Sequence, residues 1–151
     1  MKPNPEDIPY SYAHCFATDE QCPQRPECLR ALIAGLPIKA SRNEGLVTST
    51  VDPRYIASLH GKGGCALYRS SVPRRYARGM SQMFDEVPSK VANEVRKKVQ
   101  RCFTCRSYYF TSRKGERLIS PHEQQLIAAV FHQLCPNLQP VYDSIEEAYE
   151  W

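Results

Sequence analysis

Apolar positions recur at helical intervals along three stretches of the chain. In "SPHEQQLIAAVFHQL", Leu126, Ile127, Val130, Phe131 and Leu134 fall on one face. The stretch opens on Ser120 as N-cap, Pro121 at the first helical position and Glu123 completing a Ser-x-x-Glu capping box, which makes it the best-specified helix in the sequence. "PSKVANEVRKKVQRCF" aligns Val91, Val95, Val99 and Phe103 behind Pro88, again on a single face. Just upstream, "SVPRRYARGMSQMFDEVP" spaces Tyr76, Met80, Met83, Phe84 and Val87 as one stripe and predicts a helix paired with the next. Both stripes read as core. A shorter helix is predicted in "RPECLRALIAGLP", with Pro26 near its first turn and Pro37 beyond its end. Leu29, Leu32 and Ile33 share its face, which would hold Cys28 on a rigid element.

The remaining pattern is irregular. Pro3, Pro5 and Pro9 keep residues 1–13 extended. "IKASRNEGLVTSTVDP" reads as a loop with a short strand at Leu46–Val51, and "HGKGGCALYR" as a glycine-rich turn able to close around an ion. Its spacing is not that of a Walker loop. "SYYFTSRKGERL" predicts a strand entering a Lys-Gly turn, and "LQPVYDSIEEAYEW" an extended acidic and aromatic end. The expected fold class is α+β: a single, mainly helical domain with a few short strands. A cysteine-rich part (1–70) with irregular and short-helix structure would pack on a helical body (71–135) containing one short strand or hairpin, followed by an acidic aromatic tail (136–151).

At 151 residues the chain is long enough to bury a core without covalent staples. No apolar run approaches the ~20 residues of a membrane-spanning helix, and "MKPNPEDIPYSYAHC" has no apolar signal region. A cytoplasmic protein is therefore expected, where structural disulfides are rare. That changes the reading of the seven cysteines, an odd number no all-disulfide scheme satisfies.

Cys15, Cys22, Cys28 and Cys65 are the candidate metal ligands. The first three are spaced C-x6-C-x5-C, and the fourth returns from the glycine-rich turn. Structural zinc takes four thiolates, or three with a histidine, so His14 and His60 are candidate additional ligands. The spacing is wider than in most zinc fingers and also suits a 4Fe-4S cluster, likewise held by four thiolates. The plain alternative is four buried free thiols acting as small hydrophobes. "RCFTCR" offers Cys102 and Cys105 as a candidate redox pair, because flanking arginines lower thiol pKa. The predicted position at a helix end counts against it, since the dipole there disfavours a thiolate.

Charge is unevenly spread. Residues 1–59 carry six Lys/Arg and seven Asp/Glu, residues 60–117 fourteen and four, and residues 118–151 none and five. A basic middle before an acidic end implies either an anionic partner or mutual neutralisation within the fold. Arg74, Arg75, Arg78, Lys97, Arg101, Arg106, Arg113 and Lys114 are the candidate anion or nucleic-acid contacts, with Tyr108, Tyr109 and Phe110 interleaved for base stacking. Neither a Gly-x-Ser-x-Gly elbow nor a His-Glu-x-x-His helix is present, and His122 and Glu123 are accounted for by a helix start. The residues point away from catalysis.

"YSYAHCF", "QCPQRPECLR", "MFDEVP", "GERLISPHEQQLI" and the ending "VYDSIEEAYEW" resemble a domain-of-unknown-function family of small Bacteroidota proteins of about 150 residues. The resemblance runs over nearly the whole chain. It implies cysteines matching Cys15, Cys22, Cys28 and Cys65 as one unit, with Cys102, Cys105 and Cys135 as departures. It implies no activity. The expected function is therefore that of a non-catalytic, zinc-stapled accessory or regulatory protein binding nucleic acid or an acidic protein partner through a basic face. An iron–sulfur or thiol redox sensor is the alternative, and a plain globular protein with buried free cysteines the second. Membranes are not expected among its partners.

Overall fold

The computed structural model describes residues 3–36 and 48–151, and its fold is α+β. Chain contacts group the residues into two compact units, Met1–Pro73 with Tyr149–Trp151, and Arg74–Ala148. No helix among the described residues is long and apolar enough to cross a membrane.

The first unit carries little regular structure. Helix α1 (Leu29–Ala34) starts after a 3-10 turn at Arg25–Glu27 and uses Cys28 as its N-cap residue, so Pro26 lies in the turn and not in the helix. Leu29 and Ile33 are buried as expected, whereas Leu32 faces outward. Pro5–Asp7 forms a second 3-10 turn within the proline-rich start. Helix α2 (Pro53–Ser58) was not anticipated by the hydrophobic pattern. Its signal is a local one: the Asp52 carboxylate accepts from the Arg54 N–H, and Pro53 takes the first position. Of the strand expected at Leu46–Val51, the first two residues lie outside the described residues. Thr50 forms an isolated parallel bridge with His14. Among the described residues two small clusters hold this unit, one of Ala17, Val51 and Ile56, the other of Leu29, Ile33 and Tyr149.

The second unit has the larger core. Thirteen buried residues from Ala77 to Cys135 form one cluster, against three described residues in each cluster of the first unit. Its three-stranded antiparallel sheet has the order β2-β1-β3, with β1 (Arg74–Arg78) central, β2 (Leu118–Ile119) on one side and β3 (Ser144–Ala148) on the other. Helices α3 (Ser89–Arg101), α4 (Arg106–Arg113) and α5 (Pro121–Leu134) complete the unit. Helix α5 carries the expected capping box, and α3 buries Val95 and Val99 as expected. Of the α5 face expected to be buried, Ile127 and Phe131 are buried, Val130 and Leu134 partly so, and Leu126 is exposed.

Two expected elements are corrected. Residues 74–78 form a strand and not the start of a helix. Arg75 pairs with Glu147 and Tyr76 with Glu146 across β1 and β3, which the basic and acidic sequences satisfy directly. Gly79, at φ +71°, then turns the chain out of the strand. Met80, Met83, Phe84 and Val87 are buried nonetheless, carried by an irregular segment. Conversely, "SYYFTSR" is helical. Tyr109 and Ser112, three apart, are buried on the inner face of α4, so tertiary packing overrides the strand preference of adjacent aromatics.

Candidate metal centre and basic groove

Cys15, Cys22, Cys28 and Cys65 line one small recess of the first unit, with Ala17, Ala31, Val51, Leu67, Tyr68, Arg25 and Arg30. Each thiol is placed by a different local device. Cys15 lies on an extended segment: His14 N–H donates to Ser49 O, Val51 N–H to His14 O, and Cys15 N–H to Arg30 O. Cys22 closes a tight turn by donating its N–H to Thr18 O at 3.0 Å. Cys28 is buried at the start of α1, bridged to Ser70. Cys65 follows Gly63 and Gly64, both in the left-handed region, a reversal that residues with a Cβ resist. Its N–H donates to Gln24 Oε1 at 3.4 Å, which ties the Cys22 loop to the Cys65 loop.

Burial pushes the Cys15 thiol up, the neighbouring Ala17 N–H pulls it down, and the fields of Cys28, Cys22 and Cys65 push it up again. All four thiols are free. Among the described residues, no three His, Cys, Asp or Glu side chains stand in the arrangement of a metal-ligand group. The four sulfurs thus share a recess without being drawn to a common point.

Neither candidate histidine lines the recess. His14 Nδ1 is 2.7 Å from Thr48 Oγ1 and its ring stacks on Phe16, while His60 is exposed in a left-handed turn after α2. Cys102 and Cys105 are divided between two helices as the C-cap of α3 and the N-cap residue of α4. Cys102 is half-buried and donates its thiol to Lys98 O; burial and then the Glu123 carboxylate push it up, against the activation its arginine neighbours suggested. Cys105 is exposed, and Cys135 is buried in the core.

The basic residues lie apart. Arg74 and Arg75 line an open groove of about 590 Å³ in the second unit, with Gln124, Gln125, Gln139 and Tyr142 among its walls, a volume in the range of small-ligand sites. Arg78 is paired with Glu146 and donates to Gly115 O. Lys114 stands 4.0 Å from Glu116, and Arg106 lies 5.4 Å from the Phe110 ring centre. Lys97, Arg101 and Arg113 are exposed. The pairing of β1 with β3 neutralises part of the basic middle with the acidic end. Sequence reasoning passed over Arg25, Arg30 and Gln24 at the recess and the three glutamines of the groove. Such residues carry no spacing signature.

Fold and recess together define a small α+β protein with a four-cysteine recess in one unit and an arginine-lined groove in the other. The chain belongs to the family of unknown function DUF6078, whose model matches residues 1–151. No curated protein and no solved structure matches it.

Proposed function

We propose that this is a non-catalytic, zinc-stapled accessory protein of the cytoplasm. Cys15, Cys22, Cys28 and Cys65 would hold one zinc ion, and the second unit would engage an anionic partner, nucleic acid or an acidic protein. The observation that carries the reading is that four thiols, three from residues 15–28 and one from the glycine-rich turn, line one recess. Among the described residues this unit has two small apolar clusters, and a structural metal would add folding energy to so slender a core. The second unit carries twelve Lys/Arg against eight Asp/Glu, the chain's whole excess of positive charge.

The test is metal content with a visible spectrum, on tag-free protein purified anaerobically. One zinc per chain and no colour is the expected result. A brown protein with iron and acid-labile sulfide would replace the staple with a redox cluster. Absence of any metal would overturn the reading and return the four cysteines to the core.

A further inference from the structure

We infer that Arg30 is the positioning residue of the metal centre, the side chain that ties the cysteine-bearing segments together around the recess. The inference rests on the zinc reading above. Arg30 lies on α1, two residues beyond Cys28, and lines the recess. Its Nη1 donates to Ala13 O at 3.0 Å, two residues before Cys15, and its Nε donates to Leu67 O at 3.0 Å, two residues after Cys65. Its own carbonyl accepts from the Cys15 N–H at 3.0 Å. The guanidinium lies 4.2 Å from the centre of the Tyr12 ring. One side chain therefore joins three of the four ligand segments, two of them fifty positions apart in sequence. Cys22 is held separately through Gln24.

A rigid planar fork suits this task, and a lysine does not. An ammonium on a flexible stem keeps the charge but has no fixed geometry with which to hold two carbonyls and lie flat on a ring. Charge enters as well: four thiolates around a divalent cation leave two negative charges, and Arg30 and Arg25 are the cationic residues that line the recess. Arg25 differs in that its guanidinium is engaged by Asp19 at 2.9 Å.

The experiment is cobalt(II) titration of the full-length, metal-free chain, followed by competition with zinc, in wild type, Arg30→Lys and Arg25→Lys. The wild type should give the visible bands of a tetrahedral four-thiolate site. Arg30→Lys should bind about 10- to 100-fold more weakly, the usual cost of losing a group that orients ligands. Its thiolate-to-cobalt absorption should be reduced, because Cys15 or Cys65 no longer reaches the ion. A side chain that merely stabilised the fold would lower affinity and leave the spectrum of the bound form unchanged. Arg25→Lys should retain the wild-type spectrum. If Arg30→Lys does not fold, Arg30→Gln decides. Its single amide can reach only one of the two carbonyls, and it should weaken binding by about tenfold with the same loss of absorption. A wild-type spectrum of the bound form in Arg30→Lys, or in Arg30→Gln where that variant decides, would overturn the role of Arg30 and leave the zinc site standing. A wild-type chain that takes up neither metal would overturn both.

Discussion

Gly79 shows how much a single position can decide. Its φ of +71° lies in the left-handed region, and a methyl group added there would sit 2.0 Å from Asp143 Oδ2. That carboxylate cannot simply swing away, because its other oxygen accepts from both the Ser81 N–H and the Ser81 hydroxyl. Gly79→Ala should therefore destabilise the second unit by roughly 1–3 kcal/mol, read by chemical denaturation. A change below a few tenths would show that the turn relaxes freely. The same residue explains a failure of sequence reading. The spacing of Tyr76, Met80, Met83 and Phe84 matches a helical stripe, and nothing in it shows that Gly79 reverses the backbone between the first two. At the proposed metal centre the position is the opposite. The four cysteines that line the recess stand out by residue type, while Arg30 does not, because its bonds run to carbonyls of residues that carry no chemistry of their own. Cys15→Ser should abolish stoichiometric metal binding, and unchanged metal content would remove Cys15 from the ligand set.

Among the elements, α5 was the most readable because its start is specified chemically. Ser120 Oγ accepts from the Glu123 N–H, and the Glu123 carboxylate accepts from the Ser120 N–H. Ser120→Ala should cost about 1 kcal/mol, measured as a shift in denaturation midpoint. Glu123 is also buried against Arg117, so Glu123→Ala should cost several times more, since it strands a partly buried guanidinium. The sheet was less readable, because β1 and β3 find each other across sixty-five intervening residues, beyond any local pattern. Their pairing has a pH signature. The Arg78 guanidinium holds the Glu146 carboxyl below its ordinary range. A depressed carboxylate contributes stability above its unfolded pKa and loses it as pH falls through the folded value. The advantage of wild type over Glu146→Gln should therefore persist at neutral pH and vanish only in acid below the usual carboxylate range. It should be small, as both partners are more than a third exposed. A gap between the two proteins that stays constant down to strong acid would exclude this pairing as its source.

For the whole molecule, the two units differ in what holds them. Chelation of the proposed zinc should melt the first and spare the second, so that amide exchange accelerates within residues 3–36 while α3 and α5 stay protected. Uniform loss of protection would show that the units stand or fall together. Binding of an anionic partner should weaken steeply as salt rises, and Arg75→Glu should weaken it further if the groove is used. The division into units was hidden in the sequence, where no linker marks it.

Because Tyr149 packs with Leu29 and Ile33, and Trp151 lies beside Tyr12, the first unit is completed by the last residues described. A ribosome delivers those residues only after it has made the whole second unit. The part of the chain that is synthesised first is thus the last to be finished. A nascent chain stalled before Tyr149 would leave Leu29 and Ile33 covered only by Ile8, Tyr12 and Leu36, an apolar patch that chaperones of the ribosome exit are able to hold until Tyr149 arrives.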